Sequence, residues 1–182
     1  MKHIAFTVRY LIVMLTLMAP NIALSIEASI DELSAVYIYQ LSRFTTWPET
    51  LDTQKEFNIC FLAEQKKTEI AIKLEEQKIH GKKILIKYIK NEQQLQNCRV
   101  LYIDKYKNQS LIHSKVEKLL DAAPSYHVLT ISNQKSFVKQ KGIIELHVAN
   151  NRLRYSINYP NSQSSKLTID SRLFQLAIKI VR

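Results

Sequence analysis

Cys60 and Cys98 are the only cysteines and the side chains best able to do covalent chemistry in this chain. An even count of thiols in an exported protein reads as one disulfide. Metal binding is the alternative, though two widely separated thiols with no histidine at ligand spacing make a poor donor set. The other titratable candidates are sparser. His80, His113, His127 and His147 are isolated, with no two at helical ligand spacing. Glu145 and His147 stand two residues apart, so on a strand they share a face. That geometry could support acid–base chemistry or half a metal site, but the pair is read as part of a solvated strand face, since alternating polar residues are what a half-exposed sheet shows anyway. Gly81 and Gly142 are the only glycines. A cradle of backbone amides around a phosphate usually needs a glycine-rich turn, and neither a P-loop nor a dinucleotide fingerprint can be drawn. No serine has the flanking glycines of a nucleophile elbow. The pattern argues against a nucleotide-using or hydrolytic enzyme and assigns no catalytic residue, metal or cofactor.

The compartment follows from the first residues. Met1 to Ser25 opens with Lys2 and Arg9, continues as an apolar run from Tyr10 to Met18, and ends at Ala23-Leu24-Ser25, with small residues where a signal peptidase reads. The apolar run is shorter than the roughly 20 residues that a spanning helix needs. Residues 1–25 are therefore expected to be a signal peptide, with an uncleaved anchor as the other reading, and residues 26–182 one exported domain with a real core. No later stretch is long and apolar enough to span a membrane. The formal net charge of +10 is spread along the chain rather than blocked. Nucleic acid is not an expected partner outside the cytoplasm, and a diffuse positive charge favours anionic lipid head groups or an acidic protein face.

The elements that must position these residues can be read from pattern. Ser29-Ile30-Asp31-Glu32 is a capping box that starts a helix, with Ile30, Leu33, Tyr37, Leu41 and Phe44 on one apolar face and Pro48 ending it near Trp47. Runs at 57–62, 83–89, 100–103 and 127–132 read as strands, separated by helical stretches at 69–77, 92–96 and 111–121. Strands alternating with helices imply a three-layer α/β domain, its largely parallel sheet covered by helices on both faces. If the first of these strands lies between the second and third, Cys60 and Cys98 fall on neighbouring strands. Residues 143–149 and 152–159 flank Asn150-Asn151 and read as a C-terminal antiparallel hairpin. One face holds Ile144, Leu146, Val148, Leu153, Tyr155 and Ile157. The opposite face holds Glu145, His147, Arg152, Arg154, Ser156 and Asn158. Residues 160–166 read as a loop, and Asp170 as the N-cap of a docked last helix whose stripe is Leu173, Leu176, Ala177 and Ile180.

Two blocks of sequence resemble the YfiR-like family of small periplasmic regulators. The opening block is Tyr37 to Glu49, a helix ending in Trp47-Pro48, followed by Phe57 to Leu62. The closing block runs from Val128 to Ser132, through Phe137 to Ile144 and Arg152 to Asn158, to Leu167-Thr168-Ile169-Asp170-Ser171-Arg172-Leu173. The resemblance implies a periplasmic protein that restrains an inner-membrane diguanylate cyclase through its sensor domain, lowering cyclic-di-GMP signalling and so affecting biofilm and motility. A ligand-binding or accessory protein for another receptor, such as a histidine kinase, is the alternative, and a homodimer is left open. Many relatives carry glycines where Lys141 and Lys166 stand here. Arg154, Asn158, Ser171 and Arg172 match polar members of the closing block; they read either as partner contacts or as a network joining hairpin to helix. Phe44 and Trp47 read either as an aromatic anchor for a partner or as a staple holding the first helix on the core.

Overall fold

The computed structural model describes residues 29–49, 54–62, 68–104, 109–149 and 152–182. The signal peptide expected at 1–25 and the Asn150-Asn151 turn lie outside these residues. Helix α1 (Ile30–Arg43) begins at the capping box: the Glu32 N–H donates to Ser29 Oγ at 3.1 Å and the Ser29 N–H donates to Glu32 Oε2 at 3.2 Å. Its buried line is Ser34, Ala35, Ile38, Leu41 and Ser42, so that of the apolar face expected from the pattern Leu41 alone is fully buried. Small residues let the helix lie close to the sheet, and Leu33, Tyr37 and Phe44 pack along its margin.

After α1 come β1 (Thr45–Thr46), β2 (Glu56–Leu62), α2 (Glu69–Glu75), β3 (Lys78–Ile79), β4 (Lys82–Ile89), a 3-10 turn at Glu92–Asn97 and β5 (Val100–Ile103). Next are α3 (Gln109–Ala122), β6 (Leu129–Ser132), a 3-10 turn at Phe137–Gln140, and the hairpin β7 (Ile144–Ala149) and β8 (Arg152–Asn158). The chain closes with α4 (Tyr159–Ser164), β9 (Thr168–Ile169), α5 (Ser171–Leu176) and β10 (Lys179–Val181). Among the described residues the main sheet has eight strands, in the order β10-β8-β7-β6-β5-β2-β4-β3. Pairings among β4, β2, β5, β6 and β7 are parallel, and β7–β8 is antiparallel. The α/β architecture with a mostly parallel sheet and a C-terminal antiparallel hairpin is the one expected.

Alternation along β2 splits the core between the two faces. Phe57, Ile59 and Phe61 join Ile38 and Leu41 of α1 and Ile70 and Leu74 of α2 on one side. Cys60 and Leu62 join Leu95, Val116, Leu119 and Phe137 on the other. As anticipated, β2 lies between β4 and β5. Cys60 and Cys98 form a disulfide with Cα atoms 5.7 Å apart, although Cys98 sits in the turn just before β5 rather than on it.

Several local expectations are corrected. Residues 92–96 form a 3-10 turn rather than an α-helix, and His127 is left-handed (φ 55°), so β6 begins only at Leu129. Residues 160–166 are largely helical. Asn158 caps α4 by accepting from the Asn161 N–H, and the helix ends in a Schellman motif in which Leu167 N–H reaches Ser162 O and Lys166 N–H reaches Gln163 O. Lys166 occupies the left-handed position of that motif at φ 53°, and Lys141 is left-handed at φ 71°. The last helix is docked through buried Leu173, but it stops at Leu176, which is exposed, and the chain returns as β10 beside β8.

Candidate functional site: an aromatic and cationic groove

The short ladder between β1 and β9 builds the most feature-rich surface of the fold. Thr45 pairs with Ile169 and Thr46 with Thr168, and the Asp170 N–H donates to Phe44 O at 3.0 Å. These bonds tie the end of α1 to the start of α5, so the opening and closing blocks of the sequence meet. Asp170 caps α5 through the Arg172 N–H at 2.9 Å. The same carboxylate takes Arg172 Nε at 2.9 Å and Nη2 at 2.6 Å. So held, the guanidinium lies 4.5 Å from the centre of the Phe44 ring, a cation–π contact. The Arg172 hydrogen bonds hold the Asp170 carboxyl down to about 2, well below its ordinary value.

Two adjoining clefts, of about 640 and 530 Å³, run along this surface and share Thr46 and His80. The first is walled by Tyr39, Arg43, Phe44, Lys78 and Arg172, the second by Trp47, Glu56, Phe57, Lys82 and Arg99. Trp47 packs edge-on against Phe57 with ring centres 5.3 Å apart, and its indole N–H is buried without an acceptor among the described residues. Trp47 is thus packed on the core as a staple would be, and it also lines the groove into which Phe44 projects. Cations outnumber the groove's carboxylates, which are Glu49, Glu56 and Asp170. Such a surface is suited to anionic and aromatic groups rather than to bond making. Among the described residues no group of three or more His, Cys, Asp or Glu side chains is placed to hold a metal ion.

The groove holds Phe44, Trp47 and Arg172. Ser171 is exposed beside Arg172 at the start of α5. Arg154 stands apart: it projects to solvent from the hairpin, opposite His147. Asn158 is buried and structural, donating to Val138 O at 2.8 Å while it caps α4. The hairpin's polar face is therefore solvated only at Arg152 and Arg154, while Glu145, Ser156 and Asn158 on the same face are buried. Glu145 is only 4 % exposed and accepts from the Ser136 N–H at 3.0 Å and the Val138 N–H at 3.2 Å. His147 Nε2 lies 2.7 Å from buried Ser156 Oγ. The 3-10 turn Phe137–Gln140 covers this face and supplies the donors. Val148, expected on the core side, is 44 % exposed because the hairpin tip runs past the core.

Sequence reasoning missed Tyr39, Arg43, Lys78, His80 and Arg99. One signal was available for His80-Gly81: both residues have positive φ (50° and 77°), as a two-residue hairpin turn between Ile79 and Lys82 requires. Elsewhere, Tyr37 Oη donates to Leu153 O at 2.7 Å and Tyr155 Oη to Leu173 O at 2.8 Å, locking α1, β8 and α5 together behind the groove. Burial, with Tyr37 nearby, pushes the Tyr155 phenol up to about 12, so it stays a donor.

A family model described as YfiR/HmsC-like matches residues 31–178. The chain belongs to the YfiR/HmsC-like family. Membership supports a periplasmic regulator of diguanylate cyclase signalling in general, and the members of this family are regulators rather than enzymes. The matched segment contains both signature blocks, the disulfide and every residue of the groove. Among solved structures, a conserved domain protein from Vibrio cholerae is similar at 12 % identity with a TM-score of 0.52, over 85 % of this chain and 61 % of that one. That likeness shows the fold, and the chain spans about three fifths of that structure's length. A domain from Streptococcus pneumonia solved with L-Trp is similar at 8 % identity and a TM-score of 0.45, over 69 % of this chain and 55 % of that one, too slight to carry an argument. No curated protein matches the sequence. No helix among the described residues is long and apolar enough to cross a membrane.

Proposed function

We propose that this YfiR/HmsC-like chain is exported as a single domain after loss of residues 1–25. In the periplasm it binds the sensor domain of an inner-membrane diguanylate cyclase and represses it, lowering cyclic-di-GMP signalling. The observation that carries the reading is the convergence of Phe44, Trp47 and Arg172, from opposite ends of the chain, in one groove that is aromatic, cationic and rigidly braced. Repression of this kind is conformational: the regulator binds the inactive receptor more tightly than the active one, and the shift achieved equals that difference in affinity. Aromatic and arginine side chains in a partly enclosed site are the usual anchors of such contacts.

The test measures binding of the exported protein to the isolated periplasmic domain of the cyclase, together with cyclic-di-GMP output in cells. Phe44→Ala and Arg172→Glu should remain folded and exported while binding falls by about tenfold or more and output rises. Arg154→Glu probes the separate hairpin face and should also weaken restraint if that face joins the contact. Wild-type binding by both groove variants would remove the groove from the interface. Absence of any complex with the wild-type protein would remove the cyclase as the receptor.

A further inference from the structure

β10 closes the end of the main sheet opposite β3, and this end is built by β8, α4, α5 and β10 itself. Large apolar side chains stand in solvent here. Leu176, the last residue of α5, is 64 % exposed, Ile178 is 57 % exposed and Tyr159 is 43 % exposed. The Ile178 N–H donates to Tyr155 O at 2.9 Å, which opens the ladder with β8. Along β10 the side chains then alternate: Ile180 lies on the face of Ile157, and Lys179 lies on the face of Ser156, which is also that of Arg154. The Tyr159 ring stands edge-on to Phe174 of α5 with centres 5.6 Å apart.

The charge on these four elements has one sign. β8 carries Arg152 and Arg154, α5 carries Arg172 and β10 carries Lys179, while none of the four contains an aspartate or a glutamate. Asp170, which adjoins α5, is gripped by Arg172, and Glu145, opposite Ser156 on β7, is buried beneath the 3-10 turn. Arg152, Arg154 and Lys179 are all exposed. A second copy is a poor occupant for this surface, because it would set the same acid-free elements, and their cations, against one another. Apolar side chains exposed over more than half their surface and bordered by cations match an anionic bilayer instead: the apolar groups enter the boundary between head groups and acyl chains, and the cations meet the head groups. We infer that this end of the sheet docks the exported protein on an anionic lipid surface, with Leu176 and Ile178 inserted and Lys179 and Arg154 against the head groups. Insertion is shallow, because the backbone N–H and C=O of Lys179 turn away from β8 and keep their water only at head-group depth. Neither cleft of the groove contains Leu176, Ile178 or Lys179, so docking leaves the groove open, and the inference does not depend on which receptor is bound.

The test is co-flotation of the exported chain with vesicles of phosphatidylglycerol and phosphatidylethanolamine, or of phosphatidylcholine alone. Binding is expected to the anionic vesicles only, and to weaken as salt rises. Leu176→Ser/Ile178→Ser and, separately, Lys179→Glu should each lose about tenfold in partitioning with Tm unchanged, since these side chains are solvated in the free protein. Trp47 is the only tryptophan and lies in the groove, so bromine-labelled acyl chains should leave the wild-type emission unquenched and should quench the tryptophan introduced by Ile178→Trp. Failure of the wild-type chain to bind anionic vesicles overturns the inference, as does equal binding to phosphatidylcholine. Quenching of wild-type Trp47 would assign the lipid contact to the groove, and binding to poly-glutamate without binding to vesicles would assign this face to an acidic protein; either result overturns it. These wild-type readouts stand even if a variant does not fold, and unchanged partitioning of a folded double serine variant overturns the inference as well.

Discussion

Removing the bridge between Cys60 and Cys98, by replacing both with alanine, should be the most damaging single perturbation of stability. The two cysteines are 38 residues apart in sequence. In the chain-entropy view a closed loop of that size restricts the unfolded ensemble by about 4 kcal/mol at 25 °C. Both cysteines are buried in the core beneath α3, so deleting the sulfurs also removes contacts worth on the order of 1 kcal/mol. The reduced chain retains some structure of its own, which works in the opposite direction and leaves an expected loss of about 3–4 kcal/mol. Against a net stability of about 5–15 kcal/mol that is a large fraction, equivalent to roughly 10 °C in Tm for a domain of this size. Urea unfolding of wild type with and without reductant, and of the double variant under both conditions, gives the measurement. Reduced wild type and the variant should have similar midpoints, reductant should not move the variant, and the slope should rise because a chain without the cross-link exposes more surface. A midpoint shift worth less than about 1 kcal/mol with an unchanged slope would refute the argument that the bridge restrains the unfolded chain.

Glu145→Gln should cost about 2 kcal/mol, because an amide group then meets one of the two backbone N–H donors that a carboxylate satisfies; a denaturation midpoint equal to wild type would show that the clamp on the 3-10 turn is dispensable. Lys166→Gly should stabilise by about 0.5–1 kcal/mol, since it relieves a left-handed side-chain residue at the Schellman position without touching a backbone bond, and a lower Tm in the variant would contradict this. The Asp170 carboxyl, held down to about 2 from an ordinary 3.8, contributes stability that is fully present above 3.8 and is lost as pH falls through about 2. Its carboxyl resonance should titrate near the lower value in wild type and shift toward the ordinary one in Arg172→Ala, and an ordinary midpoint in wild type would show that Arg172 does not hold it.

What was legible in the sequence was whatever a local pattern states completely. The capping box at Ser29 and Glu32, the parallel strands, the hairpin and the N-cap at Asp170 all follow from residues within a few positions of one another. Pattern failed where a distant segment supplied the other half of an interaction. Alternation placed Glu145, Ser156 and Asn158 on a polar face, but it could not show that the turn Phe137–Gln140 folds back over them and turns a solvated face into a buried hydrogen-bonded one. Serine and asparagine at 161–165 read as loop because their side chains compete for backbone groups. Here that competition works as end-capping and back-bonding, with Ser162 and Ser164 each bonded to a carbonyl one turn earlier.

The groove shows the same limit at the level of function. Phe44 and Arg172 belong to blocks at opposite ends of the chain, and neither spacing nor composition relates them; a two-residue ladder does. Because Asp170 both caps α5 and grips Arg172, the cation over Phe44 is set by the helix start rather than by a free side chain, and little entropy remains to be lost when a partner arrives. A groove wall fixed in this way gives affinity through preorganisation.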